Sequence, residues 1–314
     1  MDILANPFRL PAVLTLLVAT VLAGCAYDER NINEPLLGQS SIASKPPLWV
    51  ARGENTTVFI YSTVDSIDPE LIWKDERLHQ ALDAADRVIL EVDQSPDAQA
   101  AAQQLIPELG IYRDGRMLED LFNDDEFREL NDISTSIGAP ITALNQLKPW
   151  LAAVQLSSLN AVRNGHQNRR GVGAEIADEA TQRGKHIQYR ETSSQILKRV
   201  SELPEKSQKA MVLQTAREIK NDPLHHDVTA RLWAKGDLDS LTHRLHKRPD
   251  AWADEVVYDV FITQRNQQWA SEVRSLLLEG RDEVVFFAVG VGHVTGDRSI
   301  ISILDENGID VGRK

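Results

Sequence analysis

Three side chains that are far apart in the sequence could together hold a divalent metal ion. His293 follows an apolar segment in a glycine-rich loop, where the backbone can approach a ligand closely. Glu91 lies inside an otherwise hydrophobic segment, and Asp65 follows a third apolar segment. Two carboxylates and one imidazole can bind one manganese, cobalt or zinc ion and leave a coordination position for water. The ion would lower the pKa of that water and polarise a peptide carbonyl, which is the chemistry of a hydrolase.

Three further polar residues are candidates for the same site. Arg265, on a predicted helix, could stabilise the oxyanion of a hydrolytic reaction, or it could pair with Glu91 or Glu191. A buried pair of Arg265 and Glu191 would be purely structural, and Asn266 would then cap a strand or a turn. Both interpretations stay open, because structural ion-pair networks hold carboxylates just as active sites do.

Other catalytic patterns are missing from the sequence. His225 and His226 follow a proline in a predicted loop and have no acidic partner at the spacing of a zinc protease. There is no His-Glu-x-x-His and no Gly-x-Ser-x-Gly nucleophile motif. The metal hypothesis is therefore the one that the residue types favour.

This hypothesis requires segments from both ends of the chain to lie side by side. Apolar or β-rich segments predict strands at 48–51, 57–62, 87–92, 185–190, 283–289 and 310–313. Most of the intervening chain has helical spacing, and a closing helix is predicted over 297–307. We therefore predict an α/β fold: a mixed central β-sheet built from N- and C-terminal strands, flanked by helices, with a large helical insertion in the middle. Ligands of such sheets bind at the carboxyl ends of the strands.

The first 25 residues resemble the signal peptide of a bacterial lipoprotein. Arg9 precedes an apolar run over 10–22, which is shorter than the roughly 20 residues that span a bilayer. Leu-Ala-Gly at 22–24 and then Cys25 resemble a lipobox, which implies a diacylglycerol on Cys25. Because Ala26 rather than Asp follows, the resemblance favours sorting to the outer membrane. We predict a signal peptide over 1–24, lipidated Cys25 with a flexible tether over 25–47, and a folded body over 48–314 facing the periplasm.

Composition limits the partners. Cys25 is the only cysteine, so an intramolecular disulfide and a cysteine-based site are excluded. The formal net charge of -13 repels phosphate backbones, so no nucleic acid is expected as a partner. The predicted partners are the membrane, through the lipid anchor, and a peptide or protein substrate in the cell envelope.

Nearly all of 48–314 resembles the TraB/GumN family, which is also called Tiki-like. The clearest match is Phe-Ala-Val-Gly-Val-Gly-His-Val-Thr-Gly at 287–296, which contains the Gly-x-x-His motif of the family. Shorter matches follow the family order: Leu-Glu-Val-Asp at 90–93, Lys-Pro-Trp at 148–150, Gly-Lys at 184–185, Glu-Thr at 191–192 with Gln195, Gly-Asp-Leu at 236–238, and Arg-Asn at 265–266 with Trp269.

One family motif is altered in this chain. The first Gly-x-x-His of the family falls at 62–65, where Ser62 replaces the glycine and Asp65 replaces the histidine. Proteases of the Tiki type are understood to use both histidines, with acidic partners, around a divalent metal. The resemblance therefore implies either that Asp65 is an oxygen ligand, which favours a harder metal such as manganese, or that the site is inactive.

Two functions remain open on the sequence. The first is a lipid-anchored, metal-dependent peptidase or hydrolase, with Glu91, His293 and Arg265 as its catalytic residues. The second is a catalytically inactive family member that acts as a binding or scaffold lipoprotein of the envelope. The substitutions at Ser62 and Asp65 favour the second function, and the retained Glu91, Arg265 and His293 favour the first.

Overall fold

The computed structural model describes residues 44–166, 169–248 and 251–314. The predicted signal peptide, the predicted lipidation of Cys25 and most of the predicted tether lie outside the described residues. Across the described ranges, none of the helices is long and apolar enough to cross a membrane.

Strands from both ends of the chain meet in one mixed sheet, as predicted. In chain order the strands are β1 (Leu48–Arg52), β2 (Thr56–Thr63), β3 (Arg87–Asp93), β4 (His186–Thr192), β5 (Glu283–Gly290) and β6 (Val311–Arg313). Their order across the sheet is β4-β3-β5-β2-β1-β6. The pairs β1–β2 and β1–β6 are antiparallel, whereas β2, β5, β3 and β4 are parallel neighbours. The carboxyl ends of these four strands therefore lie at one edge of the sheet.

The central strands are nearly continuous apolar runs because the sheet is covered on both faces. Val58 and Ile60 of β2, Val88 of β3 and Phe286 of β5 are fully buried. Parallel strands that are buried on both faces are rich in β-branched and aromatic residues, as these are. The polar residues begin where the strands end, so the sequence pattern itself places polar groups at the carboxyl edge.

Helices form most of the chain between β3 and β5, as predicted. In chain order the α-helices are α1 (Glu76–Ala84), α2 (Pro96–Leu109), α3 (Asp124–Ser136), α4 (Pro149–Arg163), α5 (Val172–Gln182), α6 (Ser193–Ser201), α7 (Glu205–Asn221), α8 (His225–Lys235), α9 (Leu238–Thr242), α10 (Glu255–Tyr258), α11 (Gln264–Leu278) and α12 (Ile300–Glu306). Short 3-10 helices span Leu118–Leu121, Ile141–Leu144 and Val291–His293, and π-helices span His243–Lys247 and Asp259–Thr263.

The closing helix is shorter than the predicted 297–307. It begins only at Ile300, because the hydroxyl of Ser299 caps it by accepting a hydrogen bond from the backbone N–H of Ser302 over 3.1 Å. The preceding residues form a turn, which the helical spacing of their apolar neighbours did not reveal.

Buried apolar side chains form two clusters. One lies on the sheet and includes Trp233, Trp269 and Phe286. The other lies within the helical middle and includes Trp150 and Phe261. The helical insertion therefore has a core of its own, and Phe261 belongs to that core while also lining the cavities described below.

Candidate active site

The structure brings Glu91, Arg265 and His293 into direct contact. Glu91 lies in β3, His293 in the 3-10 turn that follows β5, and Arg265 near the start of α11. Arg265 Nη2 donates to Glu91 Oε1 over 2.6 Å, and Arg265 Nη1 lies 3.1 Å from His293 Nε2. Segments separated by 174 residues thus meet at the carboxyl edge of the sheet. The sequence predicted that Glu91 and His293 come together there, and it left the position of Arg265 open.

A chain of hydrogen bonds fixes the proton position on His293. The side-chain nitrogen of Asn266 donates to the carbonyl oxygen of Arg298 over 2.7 Å, which turns its Oδ1 toward the imidazole. Asn266 Oδ1 lies 2.7 Å from His293 Nδ1, so Nδ1 carries the proton and donates it. Burial lowers the pKa of His293, which keeps the ring neutral at neutral pH. His293 Nε2 therefore has a lone pair, which accepts the hydrogen bond from Arg265.

Glu91 is held as a carboxylate. Burial by itself would raise its pKa, but the adjacent Arg265 guanidinium and the backbone N–H of Gly290 hold the pKa of Glu91 well below its ordinary range. The Gly290 N–H donates to Glu91 Oε2 over 2.7 Å. A Cβ at position 290 would lie only 3.3 Å from that oxygen, so glycine lets the strand approach the carboxylate.

Arg265 also pairs with Glu191, so the ion-pair interpretation applies to both glutamates. Arg265 Nη2 donates to Glu191 Oε2 over 2.7 Å, and Arg199 lies 2.6 Å from the other carboxylate oxygen. The guanidinium stacks on Trp269, with 4.5 Å between its central carbon and the ring centroid. Its Nε is buried and has no hydrogen-bond partner among the described residues.

Two neighbouring cavities open beside this network. The outer groove has a volume of about 490 Å³, and its walls include Leu90, Gly171, Ala174, Tyr189 and Ile196. The inner cavity has a volume of about 100 Å³, and its walls include Ser66, His225, His226, Trp252 and His293. Both are lined by Thr63, Val64, Asp65, Glu91, Phe261 and Arg265.

Asp65 follows β2 and lines both cavities. Within the described ranges, its carboxyl group forms no hydrogen bond and no ion pair. Burial raises the pKa of Asp65 to about 7; nearby Glu91 adds to this rise and Arg265 opposes it. Asp65 can therefore take up and release a proton near neutral pH.

Ser62, the other altered position of the first motif, has a structural role. It is fully buried, its hydroxyl donates to the carbonyl oxygen of Pro47 over 3.1 Å, and it accepts a hydrogen bond from Trp233 Nε1 over 2.9 Å. The serine thus joins β2 to the chain before β1 and to α8. Packing explains the presence of Ser62, so this residue is not evidence that the site is inactive.

The sequence missed the histidines of the inner cavity. The loop predicted at His225 and His226 is wrong, because α8 begins at His225. His225 Nδ1 lies 3.2 Å from Asp222 Oδ2, and Arg244 contacts the same carboxylate. The Asp-x-x-His spacing of 222–225 is the signal that could have revealed this pair. Burial lowers the pKa of His226 to about 3, so both rings are neutral at the cavity wall.

Ser66 is a further residue of the inner cavity that the sequence analysis missed. It is buried, and its hydroxyl has no hydrogen-bond partner among the described residues. A buried hydroxyl without a partner is unusual in a folded protein, where such groups are nearly always paired. Ser66 and Arg265, which both line this cavity, thus each have one buried donor without a hydrogen-bond partner among the described residues.

In this arrangement the predicted ligand set does not fit a manganese, cobalt or zinc ion. Across 44–166, 169–248 and 251–314, no group of three or more His, Cys, Asp or Glu side chains is placed to hold a metal. Glu91 Oε1 and His293 Nε2 lie 3.7 Å apart, and the guanidinium of Arg265 is bonded to both. A cation is thus already present where Glu91 and His293 would bind one.

Comparisons with known proteins found relatives over part of the chain and a family model over most of it. No solved structure matches the chain. The chain is 32% identical over 78 residues to "Metalloprotease TIKI homolog" of Amphimedon queenslandica, and 39% identical over 72 residues to the protein of the same name from Nematostella vectensis. It is 42% identical over 50 residues to "Metalloprotease TIKI2" of Xenopus tropicalis.

These alignments cover 25%, 23% and 16% of the chain, and only 13%, 15% and 10% of the respective relatives. The model of the TraB/PrgY/gumN family, by contrast, matches residues 47–313. That range includes all six strands and every residue of the candidate site. The chain belongs to the TraB/PrgY/gumN family.

Proposed function

We propose that this protein is a lipid-anchored hydrolase of the bacterial cell envelope that cleaves peptide bonds. The observation that carries the proposal is Asp65, whose carboxyl group has no hydrogen-bond or ion-pair partner among the residues that the structure describes and which lines the outer groove together with the buried Arg265. The names of the relatives, which are metalloproteases, support peptides as the substrate class.

The reaction follows from the proton-transfer capacity of Asp65. Ionised Asp65 removes a proton from a water molecule in the groove while the water oxygen attacks the peptide carbonyl carbon. The carbonyl oxygen gains negative charge, and the guanidinium of Arg265, which lines both cavities, is the positive group that stabilises it. Asp65 then gives the proton to the leaving nitrogen as the carbon–nitrogen bond breaks. One water is consumed, and one carboxyl group and one amine are released.

Glu91, Glu191 and His293 are positioning residues in this proposal. Their acceptor atoms surround Arg265 and hold the guanidinium in one orientation. Asn266 acts on Arg265 indirectly, because it orients His293. None of these steps uses a metal ion.

The cellular location is proposed from Cys25 and the residues before it. Lipidation at Cys25 would anchor the body to the outer membrane, facing the periplasm, because several acyl chains bind a bilayer in an effectively permanent way. Labelling cells with radioactive palmitate tests this: label in the wild-type protein and none in Cys25→Ser is expected. Label that persists in Cys25→Ser would contradict the anchor.

Hydrolysis is tested with a defined mixture of synthetic peptides and mass spectrometry of the products. We expect cleavage by the wild-type protein and at least a hundredfold slower cleavage by Asp65→Asn, which is isosteric but cannot accept a proton. His243→Gln is the matched control, because His243 is exposed and lies outside the site. Equal rates for the wild type and Asp65→Asn would overturn the assigned role of Asp65.

The alternative function, an inactive binding lipoprotein, is supported by one observation. The polar atoms of His293 and both oxygens of Glu91 are already bonded within the protein. If this alternative holds, the wild-type protein retains some of the peptides on a column but releases no cleavage product.

A further inference from the structure

The guanidinium of Arg265 is surrounded by the donor atoms that a metal ion would use. Two carboxylates, Glu91 and Glu191, each accept from Nη2, over 2.6 and 2.7 Å. Nη1 donates to His293 Nε2 and to the carbonyl oxygen of Phe261, over 3.1 and 3.2 Å. The side chains of Arg265 and Glu191 are only 8% and 7% exposed, so this is an interior ion cluster.

The imidazole of His293 is in the state that binds a metal. Histidine ligands commonly donate one ring N–H to an oxygen of the protein, and the other nitrogen then offers its lone pair to the ion. Asn266 provides that oxygen, and Nε2 offers its lone pair to Arg265. The tautomer and the orientation thus suit any cation at this position, and the cation present is the guanidinium.

The spacing of the donors also suits a metal ion. Glu91 Oε1 and His293 Nε2 lie 3.7 Å apart. Two donors at that separation can both reach one zinc ion, whose bonds to nitrogen and oxygen are about 2.1 Å long. Asp65 lines the same inner cavity and could supply a further oxygen.

Charge decides which cation occupies the position. Glu191 is bound by both Arg199 and Arg265, and Glu91 is bound by Arg265, so two carboxylates face two guanidinium groups. A divalent ion added beside Arg265 would be repelled by a fixed positive charge in a poorly solvated interior. Removing that charge would leave Glu91 without its counterion and a lone pair on His293 without a donor.

We propose that Arg265 is the resident cation of this site and keeps divalent metal ions out of it. The wild-type protein then has no metal site at Glu91 and His293. While Arg265 is present, no three His, Cys, Asp or Glu side chains of the described residues are placed to hold an ion; truncating the guanidinium leaves Glu91, Glu191 and His293 free to close on one. This inference goes beyond the proposed hydrolase activity, because it concerns only cation binding.

Metal titration without substrate tests the inference. The full-length protein in detergent is stripped with a chelator and titrated with Mn²⁺, Co²⁺ or Zn²⁺ by calorimetry. We expect the wild type and His293→Ala to bind these ions equally weakly. Arg265→Ala should bind one ion per chain at least tenfold more tightly than the wild type, and Arg265→Ala/His293→Ala should lose that gain. Arg265→Lys, which keeps a positive charge, should behave as the wild type.

Two results would overturn the inference. The first is that the wild-type protein binds one ion and that His293→Ala weakens this binding tenfold or more. Both proteins keep Arg265, so His293 would then be a metal ligand while the guanidinium is present. The second is an Arg265→Ala protein that binds metal ions no more tightly than the wild type.

If Arg265→Ala unfolds at the titration temperature, its melting temperature is measured with and without Mn²⁺ instead of calorimetry. The expected result is a rise of several degrees that depends on His293. The absence of such a rise would count against the inference. Peptide hydrolysis is measured separately, so the metal titration can be interpreted even if the protein cleaves no peptide.

Discussion

Asn266 Oδ1 lies 2.7 Å from His293 Nδ1, and this contact determines which nitrogen of the imidazole carries the proton. Asn266 and Arg265 are neighbours in the sequence near the start of α11, so one helical turn supplies both the residue that orients His293 and the residue that bonds to its other nitrogen. The side chain of Asn266 is completely buried. The tautomer and the orientation of the His293 ring therefore depend on how α11 packs against the turn that follows β5.

Asn266→Ala should destabilise the protein by about 1–3 kcal/mol, because it leaves the buried Nδ1–H of His293 without an acceptor. The imidazole would then lose its fixed tautomer and its hold on Arg265. Chemical denaturation measures the stability, and ¹⁵N chemical shifts of the imidazole report the tautomer. Asn164→Ala is the control, since Asn164 bonds a backbone carbonyl at an exposed position. An unchanged tautomer in Asn266→Ala would show that another group orients the ring.

Arg265→Ala should reduce the free energy of unfolding by about 3–5 kcal/mol at neutral pH, because interior Glu91 loses its counterion and Glu191 keeps only Arg199. With the guanidinium gone, burial raises the folded-state pKa of Glu91 above the unfolded value. The deficit relative to the wild type should therefore shrink as the pH falls and Glu91 becomes protonated.

Arg217→Ala is the control for this experiment. Arg217 pairs with Glu129 over 3.2 Å, but the two side chains are 49% and 33% exposed, so its loss should cost at most about 1 kcal/mol. Unfolding curves from pH 4 to 8 for both variants separate a buried ion cluster from a surface pair. An equal cost for both substitutions would contradict the burial of the Arg265 cluster.

The pKa of Asp65 predicts a pH dependence of both stability and activity. Because the folded-state pKa is raised from 3.8 to about 7, the contribution of Asp65 to stability is greatest below pH 4 and is lost as the pH rises through 7. This loss has an upper limit of roughly 4 kcal/mol, and it is smaller because Asp65 borders an open groove. Asp65→Asn should therefore be more stable than the wild type above pH 7 and should lack this slope.

Hydrolysis should show the opposite trend, because Asp65 acts as a base only when it is ionised. The rate should rise as the pH increases through about 7 and then level off. Asp305→Asn, at an exposed position of α12, should keep both the stability curve and the rate profile of the wild type. A rate that is flat between pH 5 and 9 would remove Asp65 from the proton transfer.

The convergence of Glu91 and His293 could be predicted because it depends on local patterns. Each residue lies at or just after the end of an apolar run, and parallel strands place their carboxyl ends at one edge. The order of the strands could not be predicted in the same way. Nothing in the residues of β3 indicates that it lies next to β5, since that contact depends on helices packing between distant segments.

The role of Arg265 stayed open in the sequence because two interpretations had the same local pattern. Its partners Glu91 and Glu191 are 174 and 74 residues away, so only the packing of α11 against β3 and β4 decides between them. His225 was missed for a similar reason. The proline before it suggested a loop, whereas the buried carboxylate and guanidinium that hold it come from Asp222 and Arg244, and Arg244 lies beyond α8.

Gly171 should be essential for the position of Asp65, although its backbone conformation is one that any residue can adopt. It is the N-cap of α5, with φ -79° and ψ 151°, and a Cβ there would lie 2.9 Å from the backbone oxygen of Asp65. The next residue, Val172, donates its N–H to the carbonyl oxygen of Val64 over 2.9 Å, which holds the two segments together. Gly171→Ala should therefore push the Asp65 segment away, destabilise the protein by about 1–3 kcal/mol and slow hydrolysis.

Gly173→Ala is the matched control for this substitution. Gly173 lies two residues further on in α5, and a Cβ there would meet no atom of the described part of the chain within 4 Å. Alanine is favoured over glycine in a helix by up to about 1 kcal/mol, so this variant should be as stable as the wild type or more stable. Gly173 also lines the outer groove, so it serves as a control for stability only. Melting curves of the two variants then separate close contact with Asp65 from helix propensity. If Gly171→Ala behaves like Gly173→Ala, the approach of α5 does not position Asp65.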